Sequence, residues 1–167
     1  MSCDVALAAY LFLASTGPAG APATAIPAVA APSSVAGDPL FNDIIGRAHR
    51  LKARVEDYRK HDDKAAAKPV ALPGFEAFQT QVAELSDLDM KGHVTLAARG
   101  TDGDLKCILK GISQDLPLKL KDLVQAPTGA AQDQALRDMA YLLNDNVEVI
   151  TAPPAPAVIT STLSLSR

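Results

Sequence analysis

Leu105-Lys106-Cys107-Ile108-Leu109-Lys110-Gly111-Ile112-Ser113-Gln114-Asp115-Leu116-Pro117-Leu118-Lys119-Leu120-Lys121-Asp122-Leu123 is the stretch on which the fold turns. Its apolar residues Leu105, Ile108, Leu109, Ile112, Leu116, Leu120 and Leu123 recur at three- and four-residue steps, which places them on one face of a helix. Pro117 breaks the local rule. It has no amide hydrogen, so the carbonyl of Ser113 loses its helical donor and the helix should kink. The leucine stripe continues across the proline, so the expectation is one bent helix with the Ser113 carbonyl turned to water. The competing expectation is a kink that opens a cavity near Leu116 and Leu120.

Three other stretches carry the same period. Asp38-Pro39 supplies an N-cap acceptor and a proline at the first helical position. Phe41, Ile44, Ile45, Ala48, Leu51, Val55 and Tyr58 follow on one stripe, giving a helix from Pro39 to about Lys60. Residues 61–72, with Asp62, Asp63 and Pro69, read as a connector. Phe75, Phe78, Val82, Leu85, Leu88, Gly92 and Leu96 form a second, narrower seam, in which Gly92 permits close helix approach. Arg99-Gly100-Thr101-Asp102-Gly103 separates it from the third helix. After Ala126-Pro127-Thr128-Gly129, with Thr128 as cap, Leu136, Met139, Ala140, Leu143, Val147 and Ile150 share a face. Such stripes can be buried only against one another. The fold class expected is therefore all-α, an antiparallel four-helix bundle over residues 38–150 with disordered N- and C-terminal tails.

The tails have their own character. Residues 5–14 are ten consecutive apolar residues, the length of a signal-peptide core. Small-x-small sites follow, among them Ala19-Gly20-Ala21 and Ala28-Val29-Ala30. No Lys or Arg precedes Arg47, so the basic segment of a signal is reduced to the terminal amine, or the true start lies upstream of Met1. The expectation is an exported protein, periplasmic or extracellular, whose mature chain begins between Pro22 and Asp38 and has lost Cys3. Up to residue 37 the remaining leader is an Ala/Pro-rich spacer; residues 151–167, opening on Pro153, Pro154 and Pro156, are a disordered tail.

Composition excludes several classes. The 167 residues are 48% apolar and 21% charged with a net charge of -3, which fits a globular chain and not a disordered polyanion. Aromatics reach only 4%, with no Trp, so stacking platforms for nucleic acid are not supplied. No apolar run approaches the ~20 residues of a membrane span.

Bundles hold metals and cofactors between facing helices, and the residues for that are sparse. Di-iron sites need Glu-x-x-His units, and none is present. Covalent haem needs Cys-x-x-Cys-His, and Cys107 is followed by Ile108-Leu109-Lys110. Non-covalent haem b needs only His and Met ligands from different helices; His93, Met90, His49 and Met139 are the candidates, with His93 beside the gap at Gly92. Asp89 and His93 share a helix face, but two ligands are too few for zinc, and the pair reads as a solvated polar face. His61-Asp62-Asp63 reads as a polar linker. Cys107, near Lys106 and Lys110, lacks a paired His-Asp and reads as a small buried hydrophobe, or as a thiol that bridges to a second chain. No phosphate loop is present.

One electrostatic feature remains. The first helix carries Arg47, Arg50, Lys52, Arg54, Arg59 and Lys60 against Asp43, Glu56 and Asp57, a local excess of three positive charges on an acidic chain. Asp43–Arg47 and Glu56–Lys60 stand at supporting four-residue spacing. Such a helix reads first as an ordinary solvated face, with docking to an acidic partner or a membrane surface as the competing reading. The function class expected is an exported, non-enzymatic helical bundle with an interaction or structural role. The alternative is a bundle that binds haem or another small ligand.

Overall fold

A computed structural model describes residues 35–101 and 103–151. The apolar leader, the spacer and processing window up to residue 34, and the C-terminal tail from residue 152 lie outside the described residues. Four helices run in order: α1 (Pro39–Lys60), α2 (Phe75–Arg99), α3 (Gly103–Val124) and α4 (Gly129–Thr151). Among the described residues there is no strand. Helix α1 packs on α2 and α4, and α3 packs on the same two, so the four form a ring whose diagonals are not in backbone contact. Polar contacts fix the directions. Arg99 at the end of α2 reaches Asp38 at the start of α1 (2.7 Å), and Lys52 of α1 reaches Asn144 of α4 (2.7 Å) while Arg59 lies beside Asp133. Neighbours are antiparallel, as the stripes require.

Asp38 does two jobs at one corner. Its Oδ1 accepts from the Leu40 amide at 3.0 Å and caps α1, with Pro39 preset for the first turn. Its Oδ2 takes Arg99, and that guanidinium holds the carboxyl below the usual range. Thr128 caps α4 similarly, its hydroxyl accepting from the Ala131 amide at 3.2 Å. The core also takes in Val35 and Ala36, two residues ahead of the expected boundary at Asp38.

Phe41, Ile44, Val55, Leu85, Leu109, Leu116, Leu136, Met139, Leu143 and Ile150 are wholly enclosed. The inward seam of α2 is Val82, Leu85, Asp89, Gly92 and Leu96, and that of α4 includes Asn146, so Leu88 and Val147 are only half-buried. Gly92 is where three helices meet. A Cβ there would lie 3.1 Å from Leu109 Cδ1, 3.3 Å from Phe41 Cε1 and 3.4 Å from Ile44 Cδ1, so even a methyl group would press these side chains aside by a few tenths of an ångström.

Helix α3 is continuous through Pro117, which sits on the exposed face. The Ser113 carbonyl that the proline frees is not solvated, contrary to the expectation from sequence. The Ser86 hydroxyl of α2 donates to it at 2.6 Å, while the Ser113 hydroxyl donates to the Lys110 carbonyl at 2.8 Å. A part-buried orphan acceptor would cost about 1–3 kcal/mol, and a hydroxyl from the neighbouring helix removes that cost. Leu116, one residue before the proline, has no exposure and belongs to the packed core. The proline therefore leaves a carbonyl that couples α3 to α2, and the core at Leu116 stays filled.

This coupling is measurable. Ser86→Ala should lower unfolding stability by about 1–3 kcal/mol. In a Pro117→Ala background the restored amide takes the Ser113 carbonyl, so the same change should cost less by about 1 kcal/mol in a urea double-mutant cycle. Strict additivity would show that Ser86 does not serve the freed carbonyl.

Candidate functional site

The residues that sequence offered as haem ligands are scattered. Met139 is wholly enclosed on α4, His49 is exposed on α1, and Met90 and His93 are half-buried on α2. His93 Nδ1 hydrogen-bonds the Lys106 carbonyl at 2.7 Å, which joins α2 to α3 and occupies that nitrogen. None of the four lines the grooves along α1 or the pocket between α3 and α4. Among the described residues no three His, Cys, Asp or Glu side chains gather as metal ligands. Cys107 is disulfide-bonded, so it is neither a plain buried hydrophobe nor a nucleophilic thiolate. His61 caps the end of α1, its Nδ1 2.9 Å from the Asp57 carbonyl.

Asp89 corrects the sequence reading most sharply. It is not on a solvated face but wholly buried, at the centre of the α2 seam. Asn146 of α4, equally buried, donates from Nδ2 to Asp89 Oδ2 at 2.8 Å. Asp89 Oδ1 and Asn146 Oδ1 have no hydrogen-bond partner. Burial pushes the Asp89 carboxyl up to about 8, against a smaller downward pull from Asn146. The pair spans the α2–α4 diagonal.

The connector is not a loose linker. Gln132 of α4 grips Val70 at both backbone positions, Oε1 accepting from its amide at 2.8 Å and Nε2 donating to its carbonyl at 2.9 Å. The Gly129 amide donates to the Ala66 carbonyl at 3.0 Å, and a Cβ at Gly129 would collide with the Asp63 carbonyl oxygen. Asp133, only 2% exposed, takes Arg137 at 2.7 Å, Lys64 at 3.4 Å and Arg59 at 3.6 Å. Both oxygens of Asp62 are buried without a hydrogen bond, and burial together with the Asp133 charge raises its carboxyl. Tyr58 donates to the Pro73 carbonyl at 2.9 Å and meets Phe78 edge-on at 5.6 Å. Beneath the connector Arg54, Tyr58, Val70, Leu72 and Pro73 line a small pocket of about 150 Å³.

The cations of α1 divide into two sets. Arg47 bonds Asp43 at 3.1 Å and Glu84 of α2 at 2.7 Å. Lys52 holds Asn144 and stands 4.0 Å from Glu56, which therefore faces Lys52 and not the expected Lys60. Arg59 is drawn to Asp133. These three tie α1 to its neighbours. Arg50, Arg54 and Lys60, with Ala53, Asp57 and Gln81, line an open groove between α1 and α2, and among the described residues these three cations make no ion pair. The groove thus carries three of the six cations of α1, with Asp57 as the one acidic residue in its lining.

Neither a family model, a curated protein nor a solved structure matches the chain.

Gln132→Ala should free the connector while leaving the bundle folded. Two lost hydrogen bonds predict a cost of about 1–3 kcal/mol and loss of native-state hydrogen-exchange protection at the Val70 amide. Unchanged protection there would mean that the strap is held by Gly129 and Asp133 alone.

Proposed function

We propose that this protein is an exported, non-enzymatic docking module whose α1–α2 groove receives an acidic segment of a partner protein. The observation that carries the reading is the set Arg50, Arg54 and Lys60, which faces open groove without ion pairs while Arg47, Lys52 and Arg59 are consumed in the fold. Arg50 and Arg54 stand one turn apart on the helix, so carboxylates at one-turn spacing on a partner helix meet them in register. The filled centre of the bundle supports binding on the outside in preference to a haem b or small-ligand role.

The groove reading is tested by titrating a labelled helical peptide carrying Glu at four-residue spacing. Binding should weaken strongly between ~0.05 and ~0.5 M salt, as screening of exposed charges demands. Arg50→Glu combined with Arg54→Glu should reduce affinity at least about tenfold, or 1.4 kcal/mol, with the melting temperature within the small range of surface substitutions. Binding that survives the double reversal would sink the proposal. Export is tested by fractionation and non-reducing electrophoresis. The chain's other cysteine is Cys3, so a processed chain lacking it can form a disulfide at Cys107 only with a second chain, whereas an unprocessed chain retains both cysteines.

A further inference from the structure

Asp89 and Asn146 form a buried polar pair between α2 and α4. The Asn146 Nδ2 group donates to Asp89 Oδ2 at 2.8 Å, and Asp89 Oδ1 and Asn146 Oδ1 are both buried without a hydrogen bond. The pair thus holds two acceptor oxygens and no donor to serve them. A carboxylic acid supplies it, since a protonated carboxyl gains an O–H donor. We propose that Asp89 is a neutral carboxylic acid in the folded bundle, its proton on Oδ1 donated to Asn146 Oδ1, and that loss of this proton to solvent is a built-in alkaline switch that loosens α2 from α4.

Among the described residues no charged side chain is bonded to the carboxylate. Of the side chains turned inward by α1 and α4, the titratable ones are Tyr58 and Asp133; α3 turns none inward. Tyr58 is bonded to Pro73, at the end of the bundle where the connector crosses. Asp133 lies 13 residues from Asn146 along α4, or roughly 20 Å at helical rise, and is neutralised by Arg137, Lys64 and Arg59. On α2 itself the next titratable group on this face is His93, one turn on and bonded to the Lys106 carbonyl. Burial raises the Asp89 carboxyl, and the Asn146 hydrogen bond opposes it by less. Ionised, it would leave a buried carboxylate with one amide donor and its other oxygen unpartnered, an arrangement with a heavy desolvation cost.

The direction of the pH effect follows. The folded carboxyl is raised to about 8 from an ordinary 3.8, so between those values the folded chain holds one proton more than the unfolded chain. The contribution of the protonated pair is complete below the lower value, falls by about tenfold in the folding constant per pH unit across the window, and is lost once pH passes the upper one.

Asp89→Asn tests this, because an amide at position 89 reproduces both hydrogen bonds without a titrating proton. The expected result is that wild-type stability falls from pH 5 to pH 9 with the slope of one proton, while Asp89→Asn is flatter by that slope and melts higher at pH 9. Protection factors for amide exchange in the middle of α2 and α4, taken against the intrinsic rate at each pH, should fall above pH 8 in wild type only. A direct readout that needs no variant is the carboxyl carbon resonance of Asp89, or its carbonyl stretch in the infrared. A protonated signature at pH 6 that titrates on the alkaline side supports the switch. A carboxylate signature at pH 6 overturns it, and so does an Asp89→Asn protein that folds but keeps the full pH slope.

Discussion

A dry centre obliges every polar group placed in it to find its partner on another helix, and this bundle is organised by that obligation. Apolar stripes bring the helices together, but leucine faces slide and rotate against one another at little cost. The polar pairs do not. The Ser113 carbonyl accepts from Ser86, joining α3 to α2; Asn146 donates to Asp89 across the diagonal from α4 to α2; Gln132 grips Val70, joining α4 to the connector. Each pair would lose its bond on a shift of one residue, so together they fix rotation and register where packing alone leaves them loosely set. Gly92 adds a steric version of the same constraint, since only one rotation of α2 presents a residue without a side chain to Leu109, Phe41 and Ile44.

The same accounting separates structure from function on α1. Arg47, Lys52 and Arg59 reach across to α2 or α4 and meet acceptors there. Their charges are spent within the molecule. Arg50, Arg54 and Lys60 lie on the groove and, among the described residues, make no ion pair. A partner that uses the groove thus competes with water and salt and not with the bundle's own ion pairs.

The fold was legible because helical periodicity reports which face is buried, and four stripes with short links leave little freedom. Asp38 and Thr128 as caps, the start of α1 at Pro39 and the continuity of α3 through Pro117 could all be read from local chemistry. The site was less legible, for a physical reason. Asp89 and Asn146 occupy seam positions, at three- and four-residue steps from Leu85, Gly92, Leu143 and Ile150, but their polarity hides them from a search for apolar stripes. Treating the seam as positions first and residue types second exposes both. Ser86 as donor to Ser113, and Gln132 as the clamp on Val70, depend on contacts between distant segments, and nothing local in the sequence announces them.

The strap across residues 61–74 also bears on the order in which the molecule is assembled. It joins two helices adjacent in sequence, yet it is held by Gln132, 62 residues away from Val70, and by Gly129 pressed against Asp63. The α1–α2 hairpin therefore cannot finish as a local unit. As the chain grows from its N-terminus, the connector stays open until α4 has been made and has docked, so the loop is closed by the last helix and not by the helices it links. Such a non-local closure raises the contact order of an otherwise fast-folding topology, and it makes the start of α4 the latch that completes the molecule.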